Sequence, residues 1–330
     1  LTTAQMAALD GDDLAVLSGV QVAAITADQA KALGTSQLQA ITTLQASALK
    51  SSQVVALSTA QLKALETTDV VAMNVSTIAA LSTAQVQALT TDQFRALTTT
   101  QFAALSSVQL GALTTAQMLS MNTAQVSAFK LGATQLAALR ADQLSVLSTD
   151  QVQALSSAQI AGLSTTQVAG LTTTQMAAMT TSNLAGLTYA QIQALATDRL
   201  DALSTAQFAA LKSSQLVGID PTNLAALDVE YLNNLGTAQL AALLPTQLSA
   251  LTTGVIQSLG TLQYASLRSN QLAALRTDQI AALETADLAA LNSAQLQSLT
   301  TAQVRALSTQ QLQQMSTTQV ASLTSSQVAS

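Results

Sequence analysis

The chain has 330 residues, 8% of them charged and 2% aromatic, with 11 Lys and Arg against 17 Asp and Glu for a net charge of −6. Ordinary globular domains carry roughly 25% charged residues, and the few basic residues here are scattered singly, so no phosphate-binding stripe forms and no nucleic-acid partner is expected. Cys, His and Trp are absent, which removes disulfides, thiolate and imidazole metal ligands, and the commonest acid–base and nucleophilic groups.

From Leu1 onward an apolar residue, usually Leu, recurs every eight positions. The array reads as sixteen octads over residues 1–128, one ten-residue unit at 129–138, and twenty-four octads over 139–330, one continuous repeat domain. The modal octad is Leu, Thr/Ser, Thr/Ser, Ala or variable, Gln, an aliphatic or Phe, variable, Ala; Leu97-Thr98-Thr99-Thr100-Gln101-Phe102-Ala103-Ala104 is typical. A Ser/Thr pair or a Gln interrupts every apolar stretch well short of the roughly 18 residues that a membrane span needs. No membrane span is expected.

One long helix cannot carry this pattern. Eight residues advance about 800°, some 80° past two turns, so the Leu stripe would circle the axis within about five octads. Strand alternation fails too, because the first and sixth positions are separated by five and then three residues and would fall on opposite faces. Ala and Gln also prefer helix to strand. The expected fold is therefore all-α: an elongated solenoid of very short helices, one per octad, with a β-solenoid as the alternative.

The local signals agree with short helices. With the second position as N-cap, Ser/Thr there and Gln three residues later form a capping box, as in Thr98 with Gln101, Ser156 with Gln159 and Ser204 with Gln207. Leu at N′ and the apolar sixth position at N4 have the hydrophobic-staple spacing, as in Leu97 and Phe102. Pro221 and Pro245 both fall at N1, the helical position that tolerates a missing N–H. At Lys50, Lys212, Arg268 and Arg276 the N-cap position has no acceptor, so the third-position Ser or Thr is expected to cap and shift the helix start by one residue. Helices of about six residues, some 9 Å long, do not survive alone; they must stack as repeats do. Positions one and six are the expected core. Position eight, mostly Ala with Gly162, Gly170, Gly186 and Gly218, is expected to face an adjacent helix. The Ser/Thr pairs and position seven, with Lys63, Arg95, Asp201 and Arg305, are expected outside.

Few residues break the pattern. The ten-residue unit from Phe129 to Ala138, with Gly132, is expected as a bulged turn or a kink. Asp10-Gly11-Asp12-Asp13 looks like part of a calcium loop, but Asp10 and Asp13 fall at N-cap and N3 and are expected to cap. Asp69 and Asp287 at the Gln position, and Asp92 and Asp150 just before it, are expected to sit in first turns where the helix dipole favours their charge. Lys130 and Lys212 occupy ordinary repeat positions, and Tyr189, Tyr231 and Tyr264 stand alone. No catalytic, cofactor-binding or metal-binding residue is expected, and no enzymatic activity.

The run Leu81-Ser82-Thr83-Ala84-Gln85-Val86-Gln87-Ala88-Leu89, repeated along the whole chain, resembles the Thr/Ala/Gln-rich repeat regions of very large secreted bacterial proteins labelled as adhesion or haem-utilisation proteins. The resemblance implies a secreted or cell-surface protein: a structural fibre, surface filament, biofilm-matrix protein or adhesin stalk. The haem label finds no axial His or Cys here, and no cofactor is expected. Absence of Cys fits export, and the opening at Leu1, without Met or a basic leader, suggests an excerpt of a longer chain. Expected partners are further copies of the chain, by self-association into filaments, and glycans on the Ser/Thr-rich surface. The alternative function is a repetitive Thr-rich binding surface for ice or a polysaccharide.

Overall fold

The computed structural model describes residues 1–129 and 135–330. Among the described residues there are forty α-helices of four to six residues, one per octad, a single 3-10 turn at Leu136–Ala138, and no strand. The all-α solenoid is the architecture adopted, and the β-solenoid is not.

Helices with Ser or Thr at the N-cap start as their capping signals dictate. Thr98 is extended (φ −63°, ψ 156°). Its hydroxyl accepts the N–H of Gln101 at 3.2 Å, and its own N–H donates to the Gln101 Oε1 at 2.9 Å. Ser156 with Gln159 and Ser204 with Gln207 repeat the box. The helix ends when the next position-one residue turns extended. Leu97, at φ −51° and ψ 134°, sends its N–H to the Phe94 carbonyl at 3.3 Å. Both corner residues therefore have negative φ, which any L-residue adopts without strain. The corner needs no glycine.

The expected shift at the basic N-caps does not occur. Helices begin at Ser51, Ser213, Ser269 and Thr277, directly after Lys50, Lys212, Arg268 and Arg276. These side chains hold no acceptor, so only the glutamine half of the box forms, with the N-cap N–H on Gln Oε1 at 2.6–2.8 Å. The backbone supplies the rest at three of them: the N–H groups of Gln53, Gln215 and Gln271 turn to the N-cap carbonyls at 3.0, 2.8 and 3.0 Å. Pro221 and Pro245 are both at N1.

The chain divides into two compact units, Leu1–Leu171 and Thr172–Ser330. Within each, a helix packs on the helix three octads further along. Thr67–Ala72 lies against Thr91–Ala96 in the first unit, and Pro221–Ala226 against Pro245–Ala250 in the second. Position six is the innermost: Phe94, Phe102 and Leu110 in one unit, and Leu232, Leu248 and Tyr264 in the other, are wholly buried. The position-one leucines close the core beside them. Phe102 meets Phe94 and Phe129 edge-on at 6.0 and 5.1 Å, and Phe208 meets Tyr231 at 5.2 Å, the arrangement that aromatic quadrupoles favour.

At Gly218 and Gly170, position eight crosses the start of another helix. A Cβ on Gly218 would stand 2.9 Å from the Tyr189 carbonyl oxygen, and one on Gly170 would stand 3.0 Å from Ala141 Cβ. Tyr189 and Ala141 are first helical residues three octads earlier. Lys63, Arg95, Asp201 and Arg305 at position seven are exposed, as expected. Residues 130–134, with Lys130, Gly132 and the expected bulge or kink, lie outside the described residues. Among the described residues no helix is long and apolar enough to cross a membrane.

Candidate functional site

The feature repeated most often is polar and buried. Gln125, wholly buried, accepts the Asn122 N–H on Oε1 at 3.0 Å. Its Nε2 faces the carbonyls of Phe94, Arg95 and Leu97 at 3.1, 3.2 and 2.9 Å, which lie 31, 30 and 28 residues earlier. Those oxygens belong to the end of another helix, where the last carbonyls have no partner within their own helix. One side chain thus serves the start of its own helix and the end of a helix one superhelical turn before. The acceptor separations of 28 and 31 residues set that turn at between three and four octads. Gln93, Gln279 and Gln303 repeat the arrangement, making a ladder of amides along the interior of each unit.

Only an amide does both jobs, because it carries an acceptor and two donors on one rigid plane, whereas an ionised carboxylate only accepts. The capping box read from sequence explains half of this residue and misses the other half. A signal was present: a capping box takes Glu as readily as Gln, and the helix dipole favours Glu, yet no octad has Glu at position five.

The ladder keeps its register across the ten-residue unit. Gln135, Gln143, Gln151 and Gln159 reach carbonyls 30 residues back, at Leu105, Leu113, Met121 and Phe129. Gln167 returns to 28, at Leu139. The separation rises by two residues and the pairing of octads is unchanged.

At positions 223 and 231, where position five is not Gln, other donors make the same reach. Tyr231 donates its hydroxyl to the carbonyls of Asp201 and Leu203, both at 2.8 Å. Asn223 Nδ2 reaches the Leu195 carbonyl at 3.0 Å. A second set of contacts comes from N-cap side chains with no hydroxyl, which stretch to position-seven carbonyls of the preceding turn. Lys212 reaches Ala185 and Asn74 reaches Ser47, each at 2.9 Å. Arg276 donates to the Ser249 carbonyl and Arg140 to that of Gly111. These two arginines also pair with Asp278 and Asp142 at 3.0 Å, and their hydrogen bonds hold both carboxyls below the usual carboxylate range.

The remaining sequence candidates stay apart. Asp10 accepts the Asp13 N–H at 2.8 Å and caps its helix, as expected. Asp92 and Asp150 sit exposed in first turns. Tyr189 is exposed; Tyr264 is wholly buried, gives its hydroxyl to the Ile256 carbonyl, and has its phenol pushed up by burial. Asp69 and Asp287 require a correction. They lie in first turns, but the helix dipole does not govern them. Burial, and then the charges of Glu66 and Glu284, push both carboxyls up, Asp287 to about 6.

The family model for the ALTTAQ repeat matches residues 62–99, 91–123, 152–181, 256–285 and 280–317. The chain is a tandem-repeat protein. The motif's own letters read directly onto this structure: small Ala at the helix crossing, core Leu, capping Thr, Thr at N1, Ala, and the ladder Gln. No curated protein matches the chain.

Proposed function

We propose that this repeat chain is a structural protein of the bacterial exterior, a fibre, surface filament or adhesin stalk that works by length and cohesion and not by catalysis. The glutamine ladder carries the reading. The most regular polar side chain of the repeat is used at both ends to tie one turn to the next, so each added octad extends the array and secures it without a new core. The hydroxyls at position two support this over a lattice-binding surface, since they accept Gln N–H groups and are not left free for ice or polysaccharide. The exposed third-position Ser and Thr remain as acceptors for sugars, and further copies of the chain are the expected partners.

Immunogold labelling of cells that make the protein tests the proposal. Label on surface fibres or in the extracellular matrix is the expected result. Label confined to the cytoplasm would overturn it.

A further inference from the structure

The ladder loses its amide at two octads that share one pattern. Leu65-Glu66-Thr67-Thr68-Asp69 and Leu283-Glu284-Thr285-Ala286-Asp287 place Glu at the N-cap and Asp at position five, and no other octad has Glu at its N-cap. Both aspartates are buried, 2% and 3% exposed. Each accepts the N–H of its N-cap Glu, as the glutamine Oε1 does elsewhere. The remaining carboxyl oxygen then occupies the place of the donor group. Asn223, the amide of the same length, shows what lies within reach there: its Nδ2 is 3.0 Å from the carbonyl 28 residues earlier. Counted by the same 28-residue register, the corresponding carbonyl is that of Ile41 for Asp69 and that of Leu259 for Asp287. Two acceptors without a hydrogen between them cannot bond. Among the described residues Asp69 Oδ2 is buried with no hydrogen-bond partner. At Asp287 the Ile256 carbonyl, 31 residues back and an acceptor in the ladder register, takes the hydroxyl of Tyr264 instead.

We propose that Asp69 and Asp287 are carboxylic acids in the folded chain, each donating its proton to the turn before, to the Ile41 and Leu259 carbonyls, so that two octads act as latches that hold in acid and loosen as the pH rises. A proton is what converts the Asp side chain into the donor that Asn and Gln already are. The surroundings favour it. The helices packed on that of Asp69 are Thr43–Ala48, without charge, and Thr91–Ala96, with Asp92 and Arg95; those packed on the helix of Asp287 are Thr261–Ser266, with Tyr264, and Thr309–Gln313, without charge. The charges that act most directly are Glu66 and Glu284, both negative, and burial works in the same direction. A carboxyl whose folded pKa is raised contributes stability that is fully present below the ordinary carboxylate range and is lost as the pH climbs through the folded value, near 6 for Asp287. The latch is a property of the array itself, whatever its cellular role.

The test compares the full chain with the Asp69→Asn, Asp287→Asn double variant from pH 4.5 to 7.5. Asn occupies position five at 183 and 223, so the variant keeps the fold. Hydrogen exchange, corrected for the intrinsic rate, is read at residues 65–72 and 283–290. The two proteins should match at pH 4.5. Between pH 4.5 and 7.5 the wild type should come to open more often, by about 25-fold at Asp287, whose carboxyl is raised from the ordinary range to about 6, while the variant stays level. The infrared difference spectrum at pH 5, wild type minus variant, should show a positive carboxylic-acid carbonyl band. Identical pH profiles, or no such band, would overturn the latch. So would wild-type protection at pH 7.5 restored by millimolar Ca2+, which would make these octads cation sites.

Discussion

Replacing Gln125 with Glu exchanges one NH2 for an oxygen and leaves the shape of the side chain alone. The N-cap contact survives, because Oε1 still accepts the Asn122 N–H at 3.0 Å. What disappears is the donor to Phe94, Arg95 and Leu97 at 3.1, 3.2 and 2.9 Å. Two amide hydrogens serve those three oxygens, so about 2 kcal/mol of net hydrogen bonding is lost, and a buried carboxylate set against carbonyl oxygens costs about 1–3 kcal/mol more. The expected destabilisation is about 3–5 kcal/mol, local to the turn, because stability in a repeat array is a sum of neighbour terms. Hydrogen exchange at residues 89–97 and 121–128 reads it directly, as roughly a hundredfold or greater rise in opening. Gln21→Glu is the control: Gln21 caps Ser18 at 2.8 Å but is exposed, and its replacement should stay within about 0.5 kcal/mol. Equal effects at the two positions would refute the view that the turn-to-turn bonds, and not the caps, hold the array together.

Tyr231→Phe keeps the ring on Phe208 and removes only the hydroxyl shared by Asp201 and Leu203; it should cost about 1–2 kcal/mol in urea denaturation, and an unchanged midpoint would exclude a ladder role for Tyr231. Gly218→Ala drives a Cβ to 2.9 Å from the Tyr189 carbonyl and should destabilise by about 1–3 kcal/mol. Gly162→Ala, with nothing nearer than 3.4 Å, should be neutral or gain up to about 1 kcal/mol, so thermal melts of the pair should move apart. Arg276→Ala should let the Asp278 carboxyl rise to the ordinary range, since the Arg276 hydrogen bond is the main cause of its depression. That contribution is present above the ordinary carboxylate range and lost as pH falls through the depressed value, opposite in sign to Asp287; an NMR titration of Asp278 unchanged in the variant would contradict it.

Everything that acts within one helix and its corner is written in the octad. Thr98 with Gln101, the prolines at N1, the core at positions one and six, and the small position eight are consequences of contacts a few residues apart or of side-chain size, and all are legible in the letters. The basic N-caps are not, because the sequence shows no acceptor there and hides the alternative at Lys212, a backbone bond that frees its side chain to reach another turn. Which octads meet is settled in three dimensions. The acceptors of Gln125 lie 28–31 residues away, and an eight-residue period is compatible with any number of octads per turn. That number follows from the corner dihedrals and from how Leu, Val and Phe fill the axis together, which no single repeat contains. The second role of the glutamine, and the cost of placing Asp69 or Asp287 where an amide donor belongs, exist only once the turn has closed.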